Sequence, residues 1–309
     1  MKLYKIRLHP LSAWRTPWQA DTLSGLLCLM MARTKSAQSL QEQILGKCEQ
    51  HSPPFVLSDA FPNDLFPIPE FVRTQNWAVG NKQVKRARWL SIDSFKRLQN
   101  GKNLSENDLL QDNYFYDYAH THNTLDRSTH TTGDDGSLFT LQDTVMKNSA
   151  DYLTVYARIE DDFVAQLFTL FQELSNVGFG ADVSTGKGQF EILSSSFELT
   201  ESLDAVEKPN SLISVSTFQP ANSDPTLGLW EAFTKFGKFA PDLSLENVFK
   251  KPLVMLRPGA CFFTPTIKKI LGRSIPMSEL NSECTIPLLH LAYSLALPAY
   301  LPELDSYLD

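Results

Sequence analysis

The chain has 309 residues, of which 42 % are hydrophobic and 20 % charged, with a formal net charge of −7. That composition excludes a disordered chain, and the absence of any apolar run near the ~18 residues of a bilayer span excludes a helical membrane protein. The negative balance argues against a protein that coats nucleic acid at random, and four cysteines (Cys28, Cys48, Cys261, Cys284) without a CxxC pair exclude a zinc ribbon and point away from a disulfide framework, toward the cytosol.

Lys2 to His9 alternates, with Tyr4, Ile6 and Leu8 on one side and Lys5, Arg7 and His9 on the other, which predicts a strand. The segment also lacks the apolar core of a signal peptide. A Pro-Trp loop (Pro10, Trp14, Pro17, Trp18) leads to Asp21, placed to N-cap a helix with the stripe Leu23, Leu26, Leu27, Met30 and Met31. A short helix is expected from Ser39 to Lys47, then a Pro-rich stretch, 52–70, with one strand from Phe55 to Leu57.

Residues 82–102 are basic: Lys82, Lys85, Arg86, Arg88, Lys96, Arg97 and Lys102 face only Asp93, and Val84, Trp89, Ile92, Phe95 and Leu98 trace a helical stripe. This segment makes residues 1–100 net +7, against −11 for 101–200 and −3 for 201–309, so the asymmetry suggests one polyanion-facing surface on an acidic chain. The alternative is a solvated helix face. Residues 104–136 read as a long loop containing His120, His122, Asn123, Asp126, Arg127, Thr129, His130, Thr131 and Thr132, a composition suited to ligand contact.

Residues 137–146 and 151–159 alternate as strands. Glu160-Asp161-Asp162 opens a helix with the stripe Phe163, Leu167, Leu170, Phe171 and Leu174, and Gly178 ends it. A Gly-rich loop, 178–188, then runs into a strand. The order strand, helix, strand, insertion, strand, helix, strand fits a ferredoxin-like β-α-β-β-α-β unit. Beyond the polar stretch 200–210, a helix from Leu227 to Phe236 and strands at Leu253–Leu256 and Ile286–Leu297 predict a second, smaller α+β unit.

The Gly-rich loop is not a nucleotide P-loop. Five residues separate Gly180 from Gly186, Gly188 replaces the hydroxyl residue after Lys187, and the order is helix, loop, strand. Its two late glycines permit close backbone approach, Ser184 and Thr185 supply hydroxyls and Lys187 a charge, a set suited to a phosphodiester backbone; the competing reading is a tight turn with a solvent lysine. His120, His122 and His130 could bind metal, as in an unrelated metal hydrolase, or act as acid and base, but a metal site needs fixed geometry and usually a fourth ligand, and HxH in a loop is weak evidence for one; His9 and His290 read as structural. No GxSxG or HExxH motif is present.

Three pieces together carry a resemblance. Gly178-Phe179-Gly180-Ala181-Asp182-Val183-Ser184-Thr185-Gly186-Lys187-Gly188-Gln189-Phe190 resembles the glycine-rich loop of the RAMP proteins of CRISPR systems. Asn123-Thr124-Leu125-Asp126-Arg127-Ser128-Thr129-His130-Thr131-Thr132 is similar to a segment of their type III members, with His130 where many have Gly, and Trp18 to Cys28 resembles their first helix. Phe236-Gly237-Lys238-Phe239, Phe249-Lys250-Lys251-Pro252, Arg257 to Phe262 and Leu291 to Pro298 are similar to one branch, the RAMP subunit of type III-A Csm complexes that caps the guide-RNA 5′ handle.

The resemblance implies an α+β protein of two ferredoxin-like domains, 1–205 with an insertion at 60–150 and 206–309, with a Gly-rich loop and an inserted thumb or basic segment. It implies a non-catalytic, cofactor-free and metal-free cytoplasmic subunit that holds the crRNA handle and docks the large polymerase/cyclase-like subunit and a backbone RAMP. The RNA-contacting residues expected are Gly180, Ser184, Thr185, Gly186, Lys187, Gly188, His122, Asn123, Arg127, Thr129, Thr131, Lys85, Arg86 and Arg88. The alternative is a RAMP endoribonuclease that processes guide precursors by metal-free acid-base chemistry, with His120, His122 and Lys187 in those roles.

Overall fold

The alternation at the N-terminus becomes a nine-residue strand, Lys2–Pro10, at the centre of an antiparallel sheet. This is a computed structural model, and it describes residues 1–74, 81–123, 125–126, 131–132, 138–239 and 246–301. The sheet runs Phe190–Ile192, Lys2–Pro10, Leu153–Ile159, Phe55–Pro62, with Glu198–Leu199 pairing along the N-terminal strand. Helices Ala20–Thr34 and Val164–Val177 connect these strands in the order strand, helix, strand, strand, helix, strand. They bury Leu27, Met31, Leu167, Leu170 and Phe171 in the core that Ile6, Leu8 and Val155 share.

The opposite face of the sheet is polar yet covered. Cross-strand neighbours Lys5 and Tyr156, Arg7 and Thr154, and Leu3 and Arg158 line it. Phe66 stacks between Tyr156 (4.6 Å) and Phe95 (4.1 Å), which brings part of the insertion down onto the sheet. Asp64 pairs with Lys5 (3.1 Å) and Arg7 (2.6 Å), and Glu198 reaches both cations. Arg158, fully buried, makes a two-pronged pair with Asp204. These cations are neutralised inside the fold, so the sheet offers no open platform for a ligand.

The second sheet runs Gly228–Leu229, Cys261–Phe263, Ser211–Ser214, Leu289–Ala299, Ile270–Pro276, all antiparallel. Its longest strand, Leu289–Ala299, is buried from His290 to its end, and its Tyr293, Leu295 and Leu297 belong to the same core as Leu27 and Leu57. One apolar core therefore crosses residue 205.

Several elements differ from expectation. The first helix is not capped by Asp21. Gln19 is its N-cap with no side-chain bond, and Asp59 from the neighbouring strand accepts the Ala20 amide (2.8 Å) instead. Asp21 is buried and bound to Lys235 (2.7 Å). The strand from Phe55 extends to Pro62, and the short helix runs from Ala37 to Glu49 with a π turn at Gln41–Leu45.

The basic segment is not one helix. Asn81–Arg86 and Ile92–Gln99 are separated by the strand Trp89–Leu90, which pairs with Phe66–Pro67, and Ser91 caps the second helix. The apparent loop 104–136 contains a long strand: Phe115–Asn123 pairs residue for residue with Leu138–Met146. Alternation of rings with small polar residues hid it, because both faces are largely exposed. The expected helix Leu227–Phe236 is instead two strands, Gly228–Leu229 and Ala232–Lys235. The second pairs with Leu253–Leu256, and tertiary pairing overrides the local pattern. Among the described residues beyond Ser211, the one helix is Met277–Leu280.

Candidate nucleic-acid interface

Gly178 ends the helix Val164–Val177 and starts the Gly-rich loop. Two of its glycines do different things. A Cβ on Gly188 would stand 2.0 Å from the Phe179 carbonyl oxygen, so Gly188 lets the loop close on itself; the Phe179 amide donates to the Gly188 carbonyl (2.8 Å). Gly186 has φ +84° and nothing within 4 Å of a Cβ, so it faces open space. Between them and the helix, Val183–Thr185 makes one 3₁₀ turn that leaves Ser184 and Thr185 exposed.

The loop is held by the Pro-Trp loop. The Gly188 amide donates to the Ala13 carbonyl (2.7 Å), the Ala181 amide to Thr16 Oγ1 (3.0 Å), and Phe179 stacks on Trp18 at 3.8 Å. The base of the long hairpin joins the same assembly, since Trp14 and Thr144 exchange both backbone hydrogen bonds (2.9 and 2.8 Å). Asp143, fully buried, lies where they meet. It receives Lys187 Nζ (2.5 Å) from the Gly-rich loop and Arg15 (3.1 Å) from the Pro-Trp loop, and His120 Nε2 of the facing strand stands 2.9 Å away without hydrogen-bond geometry. Burial alone would raise the Asp143 carboxyl, but the Lys187 ammonium and the Arg15 guanidinium hold it below its ordinary range. Arg15 also pairs with Asp182.

One face of the hairpin carries a ladder of rings. Tyr116 stacks on Tyr118 (6.2 Å), Tyr118 meets His120 edge-on (5.5 Å), His120 meets His122 (4.7 Å), and His122 stacks on Phe139 (5.6 Å). Lys187 Nζ lies 5.9 Å from the Tyr118 ring centre.

Beside the hairpin base opens a cleft of about 550 Å³, with Trp14, Trp18, Trp89, Phe115, Arg15 and Arg88 in its walls. The buried indole N–H groups of Trp18 and Trp89 have no acceptor among the described residues. The walls carry both signs of charge: Arg73 pairs with Glu70 (3.4 Å) and Arg257 with Glu231 (2.9 Å). Asp59 also lines the cleft, pushed by burial up to about 6 despite the hydrogen bonds that Thr217 and Ala20 donate to it. Arg88, at the end of the basic helix, has no ion-pair partner among the described residues, and neither do the exposed Lys82, Lys85 and Arg86. These four unpaired cations fall within seven positions of one another, next to the cleft that Arg88 lines.

No family model matches the sequence, and no curated protein matches it. Solved structures do. A chain of a Csm1-Csm4 cassette in complex with pppApA superposes with a TM-score of 0.63 at 13 % identity, over 98 % of this chain and 100 % of that one. A chain of the Csm3-Csm4 subcomplex of a type III-A CRISPR-Cas interference complex superposes with a TM-score of 0.63 at 12 % identity, over 96 % and 99 %. Csm4 is common to both.

The chain has the fold of Csm4. At these identities the likeness is one of fold, and it agrees with the branch that the sequence resembles. Within this Csm4 fold the expected site residues separate into groups. Gly180, Ser184, Thr185, Gly186, Lys187 and Gly188 share one loop, and His122 and Asn123 end the adjoining strand. Lys85, Arg86 and Arg88 cluster on and just beyond the short basic helix. Arg127, Thr129 and His130 lie outside the described residues, and Thr131 is described by its backbone, in the strand Thr131–Thr132 that pairs with Leu125–Asp126. The sequence reading missed Arg15, Asp143, Tyr118 and Trp89 as site residues. Asp143 had a signal: it occupies the phase of Phe139, Leu141 and Val145 on its strand, where a carboxylate is out of place. Among the described residues no three His, Cys, Asp or Glu side chains are grouped to hold a metal.

Proposed function

We propose that the chain is the RNA-binding RAMP subunit of a type III-A CRISPR effector complex, a non-catalytic one, which holds the 5′ handle of the guide RNA. The observation that carries this reading is the cleft walled by Trp14, Trp18, Trp89, Phe115 and Arg15, flanked by Lys82, Lys85, Arg86 and Arg88, which are exposed and, among the described residues, unpaired. Cations along one edge suit phosphates, and a cleft of rings with both signs of charge suits base edges and stacking. Ser184, Thr185 and the open backbone at Gly186 are exposed and supply donors to sugar and phosphate, and His122 and Asn123 extend that contact along the hairpin. Arg127, Thr129 and Thr131 complete the proposed RNA set.

The partners proposed are a large subunit and a backbone RAMP subunit, by analogy with the two Csm4 complexes above. The architecture proposed is two ferredoxin-like units meeting near residue 205, the second reduced in its helices. The first rests on its strand order, in which the first and third strands lie at the centre. Four unpaired, buried cysteines support a cytoplasmic setting, and among the described residues no helix is long and apolar enough to cross a membrane.

The test is to purify a tagged chain from cells carrying the whole CRISPR locus. The expected result is co-purification of guide RNA with the large and backbone subunits. In the same material, handle-containing precursor stays intact with or without chelator, and His122→Ala changes affinity by less than about 1 kcal/mol. A discrete cut that His122→Ala abolishes overturns the non-catalytic reading in favour of an endoribonuclease.

A further inference from the structure

The sequence presents Lys187 as the phosphate-binding charge of the Gly-rich loop, but in the fold that charge is already answered. Two segments far apart in the chain deliver cations to one fully buried carboxylate, and a third sets a histidine ring beside it. Lys187 Nζ is 2.5 Å from Asp143 Oδ2, His120 Nε2 is 2.9 Å from the same oxygen, and Arg15 is 3.1 Å from Oδ1. The outer side of Arg15 pairs with Asp182. Lys187 and Arg15 are each mostly covered, their side chains 18 % and 17 % exposed. The two cations Lys187 and Arg15 are balanced by the two carboxylates Asp143 and Asp182. The helix Asn81–Arg86 and Arg88 retain their positive charge.

We infer that Asp143 is an internal counter-anion that masks Lys187 and Arg15, so that the Gly-rich loop meets RNA through backbone and hydroxyl groups while phosphate charge is read by the basic helix. Asp143 is thus a positioning residue, acting on RNA through the groups it holds. It binds the hairpin to both loops, and it keeps two cations from pulling any passing phosphate into a corner meant for particular contacts. Masking of this kind trades raw affinity for discrimination, because counterion release by exposed lysines and arginines is indifferent to sequence.

The inference extends the RNA-binding reading and is tested apart from it. Binding of the full chain to a length-matched oligo(U) and to the guide RNA is titrated against salt. The slope of log K with log salt changes by about 0.7 for each cation engaged on a single strand. Lys187→Ala in the otherwise unchanged protein is expected to leave the slope within about 0.3, because the charge removed is a masked one. Asp143→Asn is expected to steepen it by about 0.7 to 1.4 on both RNAs, to narrow the preference for guide RNA, and to lose about 0.7 again when Lys187→Ala is added. A fall of about 0.7 from Lys187→Ala alone, or an unchanged slope in Asp143→Asn, overturns the inference.

A second readout needs no RNA. Amine acylation followed by mass spectrometry should label Lys187 at least about tenfold more slowly than the exposed Lys85 in the unaltered protein, since an ammonium held in an ion pair is a poor nucleophile. Equal rates overturn the inference even if Asp143→Asn fails to fold. If guide RNA and oligo(U) bind alike in the unaltered protein, the handle-binding reading fails while the slopes and labelling rates still judge Asp143.

Discussion

Asp59 and Asp21 show how position decides what a carboxylate does. Asp59 Oδ1 accepts the amides of Ala20 (2.8 Å) and Thr217 (2.7 Å), and its Oδ2 accepts the Thr217 hydroxyl (2.7 Å). Its burial nevertheless prevails and its pKa rises to about 6. The unfolded chain gives up that proton near pH 4, so the native state binds more protons between pH 4 and 6. Stability on this account falls as pH rises through that window, by at most about 3 kcal/mol. Asp59→Asn keeps the amide contacts and can donate to Thr217. It is expected to flatten the fall, checked by urea unfolding at pH 4.5 and 7. Asp21 behaves oppositely. Burial works against its charge, but His290, whose Nε2 stands 3.2 Å from Oδ2, and the charge of Lys235 bring it down to about 2. Its contribution is present above pH 4 and is lost as pH falls toward 2, outside the Asp59 window.

At the scale of elements, the basic helix and the hairpin make separable predictions. Lys85, Arg86 and Arg88 are exposed while Val84 and Ala87 are buried, so the helix turns its apolar side in and leaves its charge outward. Replacing Lys85, Arg86 and Arg88 by Ala should make the salt slope of RNA binding shallower by about 2, with unfolding free energy changed by less than about 0.5 kcal/mol. Salt titration and denaturant melts check the two parts, and an unaltered slope makes the segment a solvated face. On the hairpin, Tyr116 is 57 % exposed and supports Tyr118 from the end of the ladder. Tyr116→Ala should weaken guide-RNA binding by about 1–3 kcal/mol if a base stacks there, with no effect on the salt slope, as read by fluorescence anisotropy.

At the scale of the molecule, the two sheets share one apolar core and are tied by cross-sheet hydrogen bonds. Arg158 in the first sheet pairs with Asp204 and donates to the Ala296 carbonyl (3.2 Å) of the second. Ser216 Oγ donates to the Leu57 carbonyl (2.6 Å) and accepts the Leu295 amide (2.9 Å), and Tyr293 donates to the Cys48 carbonyl (3.0 Å). Asp204→Ala leaves a buried guanidinium unpaired and should cost about 3–5 kcal/mol in urea unfolding. Residues 206–309 expressed alone should not show a cooperative melt, because Tyr293, Leu295 and Leu297 would lose the core they share with the first helix. A sharp melt of that fragment would establish an independent domain.

The local elements were written plainly in the sequence. Lys2–Pro10, Ala20–Thr34, Leu153–Ile159 and Val164–Val177 follow from period-two and period-3.6 patterns that neighbouring residues impose on one another. The Gly-rich loop was legible for a similar reason, since a chain that passes 2.0 Å from a would-be Cβ at Gly188 tolerates nothing larger. Tertiary structure alone decided which charges are available. Arg15 and Asp143 stand 128 positions apart and Lys187 and Asp143 stand 44 apart, so no local periodicity couples them. Lys5 and Arg7 look as free in the sequence as Arg86 does, yet Asp64 and Glu198 cover them. A net charge can be counted along a chain, but which cation keeps its charge for a ligand depends on long-range packing that brings a carboxylate within about 4 Å of it.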